Sequence, residues 1–284
     1  MSGDLLESGS VPARDGIELA FERLPGSPPG VVFVHATGFC KEVWRPIANA
    51  MRSAGGWAAI DQPGHGDSQR PPPPIHWSTI GHGVLDVLDA IGPHRIGVGH
   101  SAGAAALAMA ELDRPGAFDH LILIEPIIFP PPHGRHEHSP LAALAVKRRA
   151  RFSSRNAAIE NFTGKGPFAL WDDQVLEAYI DGALRPEGGG LALKCDPETE
   201  AEFYRGGADH DTWDHLPELR APVTLVAGEQ STTHHGHFLE DLASRFPLVD
   251  VAIVEGATHF LPMEQPELIA CFVDEIIDSG SISA

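Results

Sequence analysis

The stretch Arg95-Ile-Gly-Val-Gly-His-Ser-Ala-Gly-Ala104 decides the fold of this chain. An apolar strand leads into Gly99-x-Ser101-x-Gly103, and an alanine-rich helix follows at once. A strand, a turn and a helix in this order place the serine on a sharp, strained turn that lifts its hydroxyl clear of the sheet. Glycine at 99 and 103 fits, because the turn is tight and the helix must pass close to the strand. The stretch therefore predicts an exposed serine at the end of a buried strand.

The rest of the chain alternates between apolar runs and helical patterns, which is typical of a parallel α/β sheet. We predict strands over residues 17–23, 30–35, 57–61, 95–98, 120–125, 222–227 and 249–254. We predict helices over residues 44–54, 77–91, 102–113 and 266–277. The sequence therefore indicates an α/β fold, with a mostly parallel twisted sheet flanked by helices.

The alternation breaks between residues 126 and 217, where the sequence is mostly helical and loop-like. We therefore predict one core domain, made of residues 1–127 and 217–284. A helical insertion, residues 128–216, would form a cap or lid on that core. The basic cluster Lys147-Arg-Arg-Ala-Arg151 within the insertion is expected to be a solvated helix face.

Composition limits the classes of partner. The 284 residues carry a net charge of −19, which repels nucleic acid and anionic membrane surfaces. No apolar run is long enough to cross a bilayer, and residues 1–7 lack the basic start and apolar stretch of a signal peptide. Cys40, Cys195 and Cys271 are widely spaced and odd in number, so neither a disulfide framework nor a zinc knuckle is expected. These features predict a cytoplasmic protein with a small-molecule partner, and they leave a homodimer open.

Four separate stretches resemble those of the α/β-hydrolase superfamily. They are Val34-His-Ala-Thr-Gly-Phe39, the loop Asp61-Gln-Pro-Gly-His-Gly-Asp-Ser68, the serine turn, and Gly256-Ala-Thr-His259 with the residues up to Pro266. Together they cover nearly the whole chain outside the insertion. The resemblance implies the α/β-hydrolase fold and a hydrolase that needs no cofactor and no metal.

Ser101 and His259 are the predicted nucleophile and base. A serine hydroxyl is barely ionised at neutral pH, so it needs a base beside it. Histidine suits that role, because its near-neutral pKa lets it take a proton and return it. Among 16 histidines, His259 stands out because it follows the last strand within a Gly-x-x-His loop that resembles the family's late loop.

The catalytic acid departs from the usual pattern. In most of the family it follows the strand predicted at 222–227, where Gly-x-x-Asp would place it at position 231, and this chain has Ser231. Glu125 offers another source, since it ends the strand after the serine turn, at the carboxyl edge where such sheets collect functional groups. A buried glutamate needs a partner such as histidine. Certain haloalkane dehalogenases and zearalenone-type lactonases carry their acid at this place. We therefore assign Glu125, with Glu229 as the alternative.

The oxyanion hole is expected from two backbone N–H groups, those of Thr37 and Ala102. Ala36 stands where the family usually has glycine, which makes the geometry of that loop a point to test. Aromatic and aliphatic side chains in the loops and the insertion could form an apolar acyl or aromatic pocket, although core packing explains any one of them equally well. These candidates are Phe39, Trp44, Ile128, Phe129, Trp171, Trp213 and Phe260.

Two runs of histidine have spacings that could suit a metal, namely His133, His136 and His138, and His234, His235 and His237. Both lack the cysteine or carboxylate pattern of a known site, so solvated loop histidines and no metal are expected.

The sequence predicts a serine hydrolase that cleaves a carboxylic ester or lactone through an acyl-enzyme intermediate. Hydrolysis of a C–C bond or an amide by the same triad stays open, because the insertion and its pocket would decide it. A non-catalytic ligand-binding protein on the same fold also stays open, and Ser231 is the feature that favours it. The serine at 101 argues against the dehalogenase and epoxide-hydrolase branches, which use an aspartate nucleophile.

Overall fold

A computed structural model describes residues 6–28, 30–53, 55–92 and 94–279 of the chain. Its strands are β1 (Glu7–Pro12), β2 (Glu18–Leu24), β3 (Gly30–Val34), β4 (Gly56–Ile60), β5 (Ile96–His100), β6 (His120–Ile124), β7 (Arg151–Phe152), β8 (Leu184–Glu187), β9 (Gly190–Leu193), β10 (Val223–Gly228) and β11 (Val249–Val254). Its helices are α1 (Arg45–Ala50), α2 (Ser78–Ile91), α3 (Ala102–Asp113), α4 (Pro140–Ala145), α5 (Arg155–Phe162), α6 (Asp173–Ala183), α7 (Pro197–Gly206), α8 (Thr212–His215), α9 (Gly236–Arg245), α10 (Leu261–Glu264) and α11 (Pro266–Asp278).

Eight of the strands form one sheet, in the order β1-β2-β4-β3-β5-β6-β10-β11. The pairs from β4 to β11 are parallel, whereas β1–β2 and β2–β4 are antiparallel. The predicted mostly parallel α/β sheet is therefore confirmed. Parallel strands need crossover connections, and the helices that provide them cover both faces of the sheet.

The alternation along β3 shows how the two faces are built. Val32 and Val34 pack into the core cluster that includes α2 and α3, whereas Val31 and Phe33 pack into the cluster that includes α1 and α11. A strand that is buried on both faces is apolar along most of its length, which explains the runs in β3, β5 and β6, where only the terminal His100 and His120 are polar.

Several elements differ from the sequence predictions. β1 was not predicted, and because it pairs with β2, the predicted edge strand lies second in the sheet. The predicted helix over 44–54 is a 3-10 turn, Lys41–Trp44, followed by α1, and its residue 54 lies outside the described residues. α9 was also not predicted.

The sequence predicted a mostly helical and loop-like segment between β6 and β10, and the structure shows that this segment also contains strands. It contains α4 to α8 and a small antiparallel sheet of order β7-β9-β8. β8 and β9 form a hairpin through Gly188 and Gly189, both with positive φ. The Gly188-Gly189 pair is a turn signal in the sequence, but the stretch before it, Leu184-Arg-Pro-Glu187, carries two charges and a proline and does not resemble a strand.

In the part of the chain that the structure describes, none of the helices has the length and apolar character that crossing a bilayer requires.

Candidate active site

Ser101 lies on the turn between β5 and α3, with φ of 57° and ψ of −114°. Its backbone N–H donates to the carbonyl of Ile124 at 2.9 Å, which ties the turn to the end of β6. Among the described residues other than glycine, only Ser101 and Glu125 have a positive φ. Such conformations persist only where the surrounding structure enforces them, and they concentrate at functional sites.

The two glycines of the turn are required by close packing. A Cβ on Gly103 would lie 2.7 Å from the carbonyl oxygen of His35, and closer still to that of Val34. A Cβ on Gly99 would lie 2.6 Å from the Cα of Ala104. The helix after the serine therefore passes as close to the strands as the sequence predicted.

Glu125 follows β6 at the same edge of the sheet, and its side chain is fully buried. Its Oε1 accepts from the backbone N–H of Gly228 at 2.9 Å. Its Oε2 accepts from the Ser231 hydroxyl at 2.8 Å and lies 3.0 Å from His259 Nδ1. Burial favours a higher pKa for Glu125, but the contacts with His234 and His259 outweigh it and hold the pKa well below its ordinary value. The carboxylate is therefore ionised.

Ser231, at the place where a carboxylate was expected, hydrogen-bonds to Glu125 instead. Its hydroxyl donates to Glu125 and accepts from the backbone N–H groups of Thr233 (3.2 Å) and His234 (2.9 Å). Glu229, the alternative acid, is exposed and accepts from the N–H of Gly256 at 2.9 Å. The structure thus brings Glu125, not Glu229, to the imidazole of His259.

His259 lies in the loop between β11 and α10, and 24% of its side chain is exposed. His100, the residue before Ser101, has its Nε2 2.8 Å from the carbonyl oxygen of His259. Burial, followed by the proximity of His259, lowers the pKa of His100 to about 3, so it is neutral and its Nε2–H donates this bond. The bond joins the serine turn to the histidine loop, a role that sequence reasoning missed.

The predicted oxyanion donors lie where the N-terminus of α3 meets the loop after β3. The Ala102 N–H is the first of the helix, where backbone donors have no intrahelical partner. Within the described residues, the Thr37 N–H also has no hydrogen-bond partner. Its neighbours are fixed, since Phe39 N–H donates to Ala36 and Gly38 N–H donates to His65.

His65 positions the loop of Thr37. Its Nε2 accepts from the Gly38 N–H at 2.9 Å, while its Nδ1 lies 3.1 Å from the carbonyl of Pro63 and donates to it. Burial lowers the pKa of His65 to about 4, so it stays a neutral acceptor. Asp61 anchors the next turn, because it accepts from the backbone N–H of Lys41 at 2.7 Å and from Lys41 Nζ at 2.8 Å.

The predicted pocket residues fall into separate groups. Phe39, Trp171 and Phe260 cluster, with ring centroids of Phe39 5.0 Å from Trp171 and 6.2 Å from Phe260, and Phe260 lies 5.2 Å from the ring of His259. Trp44 instead stacks on Phe33 at 5.0 Å inside the core, which corrects its assignment to the pocket.

The remaining three pocket candidates are Phe129, Trp213 and Ile128, which have no ring contact with Phe39 among the described residues. Phe129 and Trp213 contact the ring of Phe238 at 5.6 and 6.2 Å, and Phe238 packs on His234 at 5.3 Å. Ile128 is fully buried in the core cluster with α3. Phe129 and Trp213 therefore pack in an aromatic group with Phe238, next to His234.

Arg148 was expected on a solvated face, but only 17% of its side chain is exposed, and it packs against the loop of Thr37. Its guanidinium donates to Glu200 at 2.6 Å and to the hydroxyl of Tyr179, and a Cβ on Gly38 would lie 3.3 Å from it. The ion pair with Glu200 makes this burial possible, since a lone buried charge would be costly. The segment between β6 and β10 is thereby locked onto the loop of Thr37.

The histidines of the second run differ sharply in exposure. His237 is 99% exposed, as expected for a loop histidine, but His234 is fully buried, which corrects its assignment as a solvated loop histidine. The reason is its contact with Glu125, which lies in another segment of the chain. One atom each of Glu125, His234 and His259 lie within 4.8 Å of one another, so the three could hold a metal ion.

Comparison with known proteins agrees with this geometry. Residues 31–270 match the model of the alpha/beta hydrolase family. The chain is 24% identical over 258 residues to the 2-(acetamidomethylene)succinate hydrolase of Mesorhizobium japonicum, with 90% of this chain and 91% of that protein covered. The crystal structure of E-2-(acetamidomethylene)succinate hydrolase matches with a TM-score of 0.83 at 23% identity, over 96% of this chain and 100% of that one. A thermophilic esterase from Thermogutta terrifontis matches with a TM-score of 0.72 at 20% identity, over 97% and 100%. At such identities the solved structures show the fold.

Proposed function

We propose that this chain, which belongs to the alpha/beta hydrolase family, is a serine hydrolase that cleaves a carboxylic ester or lactone through an acyl-enzyme intermediate. The observation that carries the proposal is the 3.0 Å contact between Glu125 Oε2 and His259 Nδ1. Ser101, on a turn with φ of 57°, is tied to this pair at both sides. Its N–H donates to the carbonyl of Ile124, and the preceding His100 bonds to the carbonyl of His259. The nucleophile Ser101, the acid Glu125 and the base His259 follow one another along the chain in that order. This fold uses the same order of serine, acid and histidine.

In the proposed mechanism the Ser101 hydroxyl attacks the carbonyl carbon while His259 takes its proton. The ionised Glu125 holds the imidazole in the tautomer with a proton on Nδ1, so that Nε2 is free to act as the base. The same carboxylate stabilises the imidazolium that forms. The alcohol then leaves with the proton from His259, and water cleaves the acyl-enzyme by the same route.

The negative charge on the tetrahedral intermediate would be held by the N–H groups of Thr37 and Ala102. Donors fixed before the reaction are effective because no reorganisation is needed when the charge develops. The bond from Gly38 to His65 and the packing of Arg148 against Gly38 hold the loop of Thr37 in place.

Residues 128–216 would form a cap over the site. Two contacts support this role: the ring of Trp171 packs on Phe39 at 5.0 Å, and the N–H of Asp172 donates to the carbonyl of Met263 at 2.8 Å. With Phe260, these rings give the site an apolar wall, which suits an aromatic or aliphatic acyl group.

Hydrolysis of an acyl amide is the second candidate. A relative 24% identical to this chain is named 2-(acetamidomethylene)succinate hydrolase, after a compound that carries an acetamido group. The binding-protein alternative loses its support, because Ser231 was its only argument and Glu125 provides the acid contact that Ser231 cannot.

The test begins with a fluorophosphonate probe, which labels an activated serine without requiring the natural substrate. We expect the wild type to be labelled at position 101 and Ser101→Ala to be unlabelled. Turnover is then measured on p-nitrophenyl esters of graded acyl length, on lactones and on matched anilides. Faster turnover of anilides than of esters would favour the amide reaction. A folded wild type that is not labelled at any pH between 6 and 9 would contradict the proposal.

A further inference from the structure

A histidine outside the proposed triad lies against the carboxylate that binds His259. His234 is fully buried, and its Nδ1 lies 2.8 Å from Oε2 of Glu125. The backbone N–H of His234 donates to the Ser231 hydroxyl at 2.9 Å, so the loop after β10 holds the ring beside Glu125. The proposed mechanism uses Glu125 and His259 and leaves His234 without a role.

The Nδ1 atom of His234 is a buried polar atom that has no hydrogen-bond partner among the described residues. The other ring nitrogen, Nε2, lies 2.9 Å from the carbonyl oxygen of Pro126 and donates to it. A neutral imidazole carries one N–H, so Nδ1 presents its lone pair to the Glu125 carboxylate. Two electron-rich atoms at 2.8 Å repel each other, and a cation bound by both would remove that repulsion.

Glu125, His234 and His259 together form a donor set that zinc uses in proteins. One ligand atom from each residue lies within 4.8 Å of the other two. Two histidines and one glutamate hold the zinc ion of thermolysin and carboxypeptidase A. A tetrahedral zinc ion about 2.1 Å from its ligands keeps them about 3.4 Å apart. The contacts of Glu125 Oε2 with the two imidazoles, 2.8 and 3.0 Å, would therefore open by only about half an ångström.

The groups around this donor set are those commonly found around zinc ligands. A zinc-bound histidine usually donates its second ring N–H to a carbonyl or a carboxylate, and a zinc-bound carboxylate is itself hydrogen-bonded. His234 has the carbonyl of Pro126 in that position. Glu125 has the N–H of Gly228 and the hydroxyl of Ser231. These partners fix the orientation of both ligands.

We propose that Glu125, His234 and His259 form an inhibitory site for a divalent transition-metal ion, with Zn²⁺ as the ion that the donors fit. The inference rests on the proposed function, because the ion would occupy two members of the proposed triad. It would act as an inhibitor and not as a cofactor. When it binds, His259 exchanges the proton on Nδ1 for the ion, and that proton is released to water.

Metal binding at Nδ1 removes the base of the reaction. An imidazole that coordinates a metal through Nδ1 carries its proton on Nε2, so it has no lone pair left to accept the proton of Ser101. The ion also occupies the carboxylate of Glu125, which would otherwise stabilise the imidazolium. Glu125 and His234 are fully buried, whereas 24% of the His259 side chain is exposed, so the ion enters from the side of the active site.

The donors also determine which ions inhibit. Imidazole suits zinc, copper and nickel, whereas magnesium and calcium prefer oxygen ligands. We therefore expect inhibition by Zn²⁺ at concentrations at which Mg²⁺ and Ca²⁺ have no effect.

Binding is tested first by calorimetry with ZnCl₂ on the full chain carrying Ser101→Ala, freed of metal with EDTA, so that no activity is needed. We expect one tightly bound zinc ion per chain. Adding His234→Asn removes one imidazole ligand and should weaken zinc binding at least about 100-fold, since the loss of an outer partner alone costs up to about 100-fold. The matched control is His235→Asn, the next residue along the chain and exposed, which should bind zinc as before. Equal affinity in the His234→Asn variant and its parent would overturn the inference.

Fluorophosphonate labelling of the wild type then tests whether the bound ion reaches the triad. One equivalent of zinc should slow the labelling of Ser101 at least about tenfold, because the serine loses its base, and EDTA should restore the rate. Zinc that binds without slowing the labelling would overturn the inference, and so would equal inhibition by Mg²⁺.

A further measurement needs neither a variant nor activity, so it applies even if His234→Asn does not fold. X-ray absorption at the zinc edge, on wild type with one equivalent of zinc, should show two imidazole ligands and an oxygen ligand. A zinc ion with fewer than two imidazole ligands would overturn the inference. A metal-free wild type that is not labelled would contradict the proposed function, and calorimetry and X-ray absorption would still decide whether the metal site exists.

Discussion

Replacing Glu125 with glutamine removes the charge of the proposed triad acid while keeping its shape. Three groups face Oε2, namely the Ser231 hydroxyl, His259 Nδ1 and His234 Nδ1, whereas only the Gly228 N–H faces Oε1. The amide oxygen will therefore occupy the Oε2 position, and the NH₂ group will face the N–H of Gly228. The glutamine NH₂ group and the Gly228 N–H are both donors, so the Gly228 N–H loses its hydrogen bond. An unsatisfied buried donor costs about 1–3 kcal/mol of stability.

The effect on catalysis should be larger than the effect on folding. The imidazolium of His259 loses the negative charge that stabilises it at 3.0 Å. Removing the charge of a triad acid while keeping its geometry lowers kcat by about 10⁴-fold, or about 5.4 kcal/mol of transition-state stabilisation. The assay is kcat on a short p-nitrophenyl ester, with thermal unfolding monitored in parallel to show that the variant is folded.

Glu229→Gln is the matched control for this substitution. Glu229 is exposed, and its amide oxygen can still accept from the Gly256 N–H, so kcat should change by less than about threefold. The reasoning is refuted if a folded Glu125→Gln retains more than a tenth of wild-type kcat, or if Glu229→Gln is the more damaging of the two.

Three further predictions follow from the site. Gly103→Ala should lower the melting temperature by many degrees, because its methyl group would meet the carbonyl oxygen of Val34; an unchanged melting curve would contradict the packing. His65→Phe should fill the same space but leave the Gly38 N–H unpaired, lowering kcat/KM roughly 10- to 100-fold on esters without loss of secondary structure by circular dichroism. The folded pKa of His65, about 4, lies below that of an unfolded histidine, so its contribution to stability is complete above about pH 6.5 and falls by about 3 kcal/mol towards pH 4. The lowered pKa of His100 acts in the same direction. The free energy of unfolding, measured with urea, should therefore decrease between pH 8 and pH 5, and an unchanged value over that range would contradict the prediction.

The sequence predicted those features whose physical requirement is local. The serine turn needs glycines at fixed spacing, so Gly99 and Gly103 mark it in the sequence, and the structure shows the close approach that they permit. The buried parallel strands need apolar residues along most of their length, which makes them readable as well. β1 was missed because five of its six residues are exposed, including two serines and a glycine, and only its pairing with β2 makes it a strand.

The groups that support the site were harder to predict, because their partners lie far away in the chain. His234 contacts Glu125 across 109 positions, and Arg148 pairs with Glu200 across 52. No local pattern distinguishes a histidine or arginine with such a partner from one in a solvated loop, and burial is decided by that partner. Glu125, the proposed acid, was within reach of sequence reasoning only because it directly follows the apolar run Leu121–Ile124.

The position of the acid also explains why position 231 carries a hydroxyl. β6 and β10 are neighbours in register, with Ile124 opposite Val226, and the Glu125 N–H donates to the Val226 carbonyl at 3.0 Å. The ends of these two strands therefore reach the same point beside His259, and only one of them can supply a carboxylate there. A second carboxylate at 231, within 3 Å of Glu125, would repel it and force one of the two to take a proton. A hydroxyl instead donates to Glu125 at 2.8 Å and helps to keep it ionised. Serine at 231 is thus the complement of glutamate at 125.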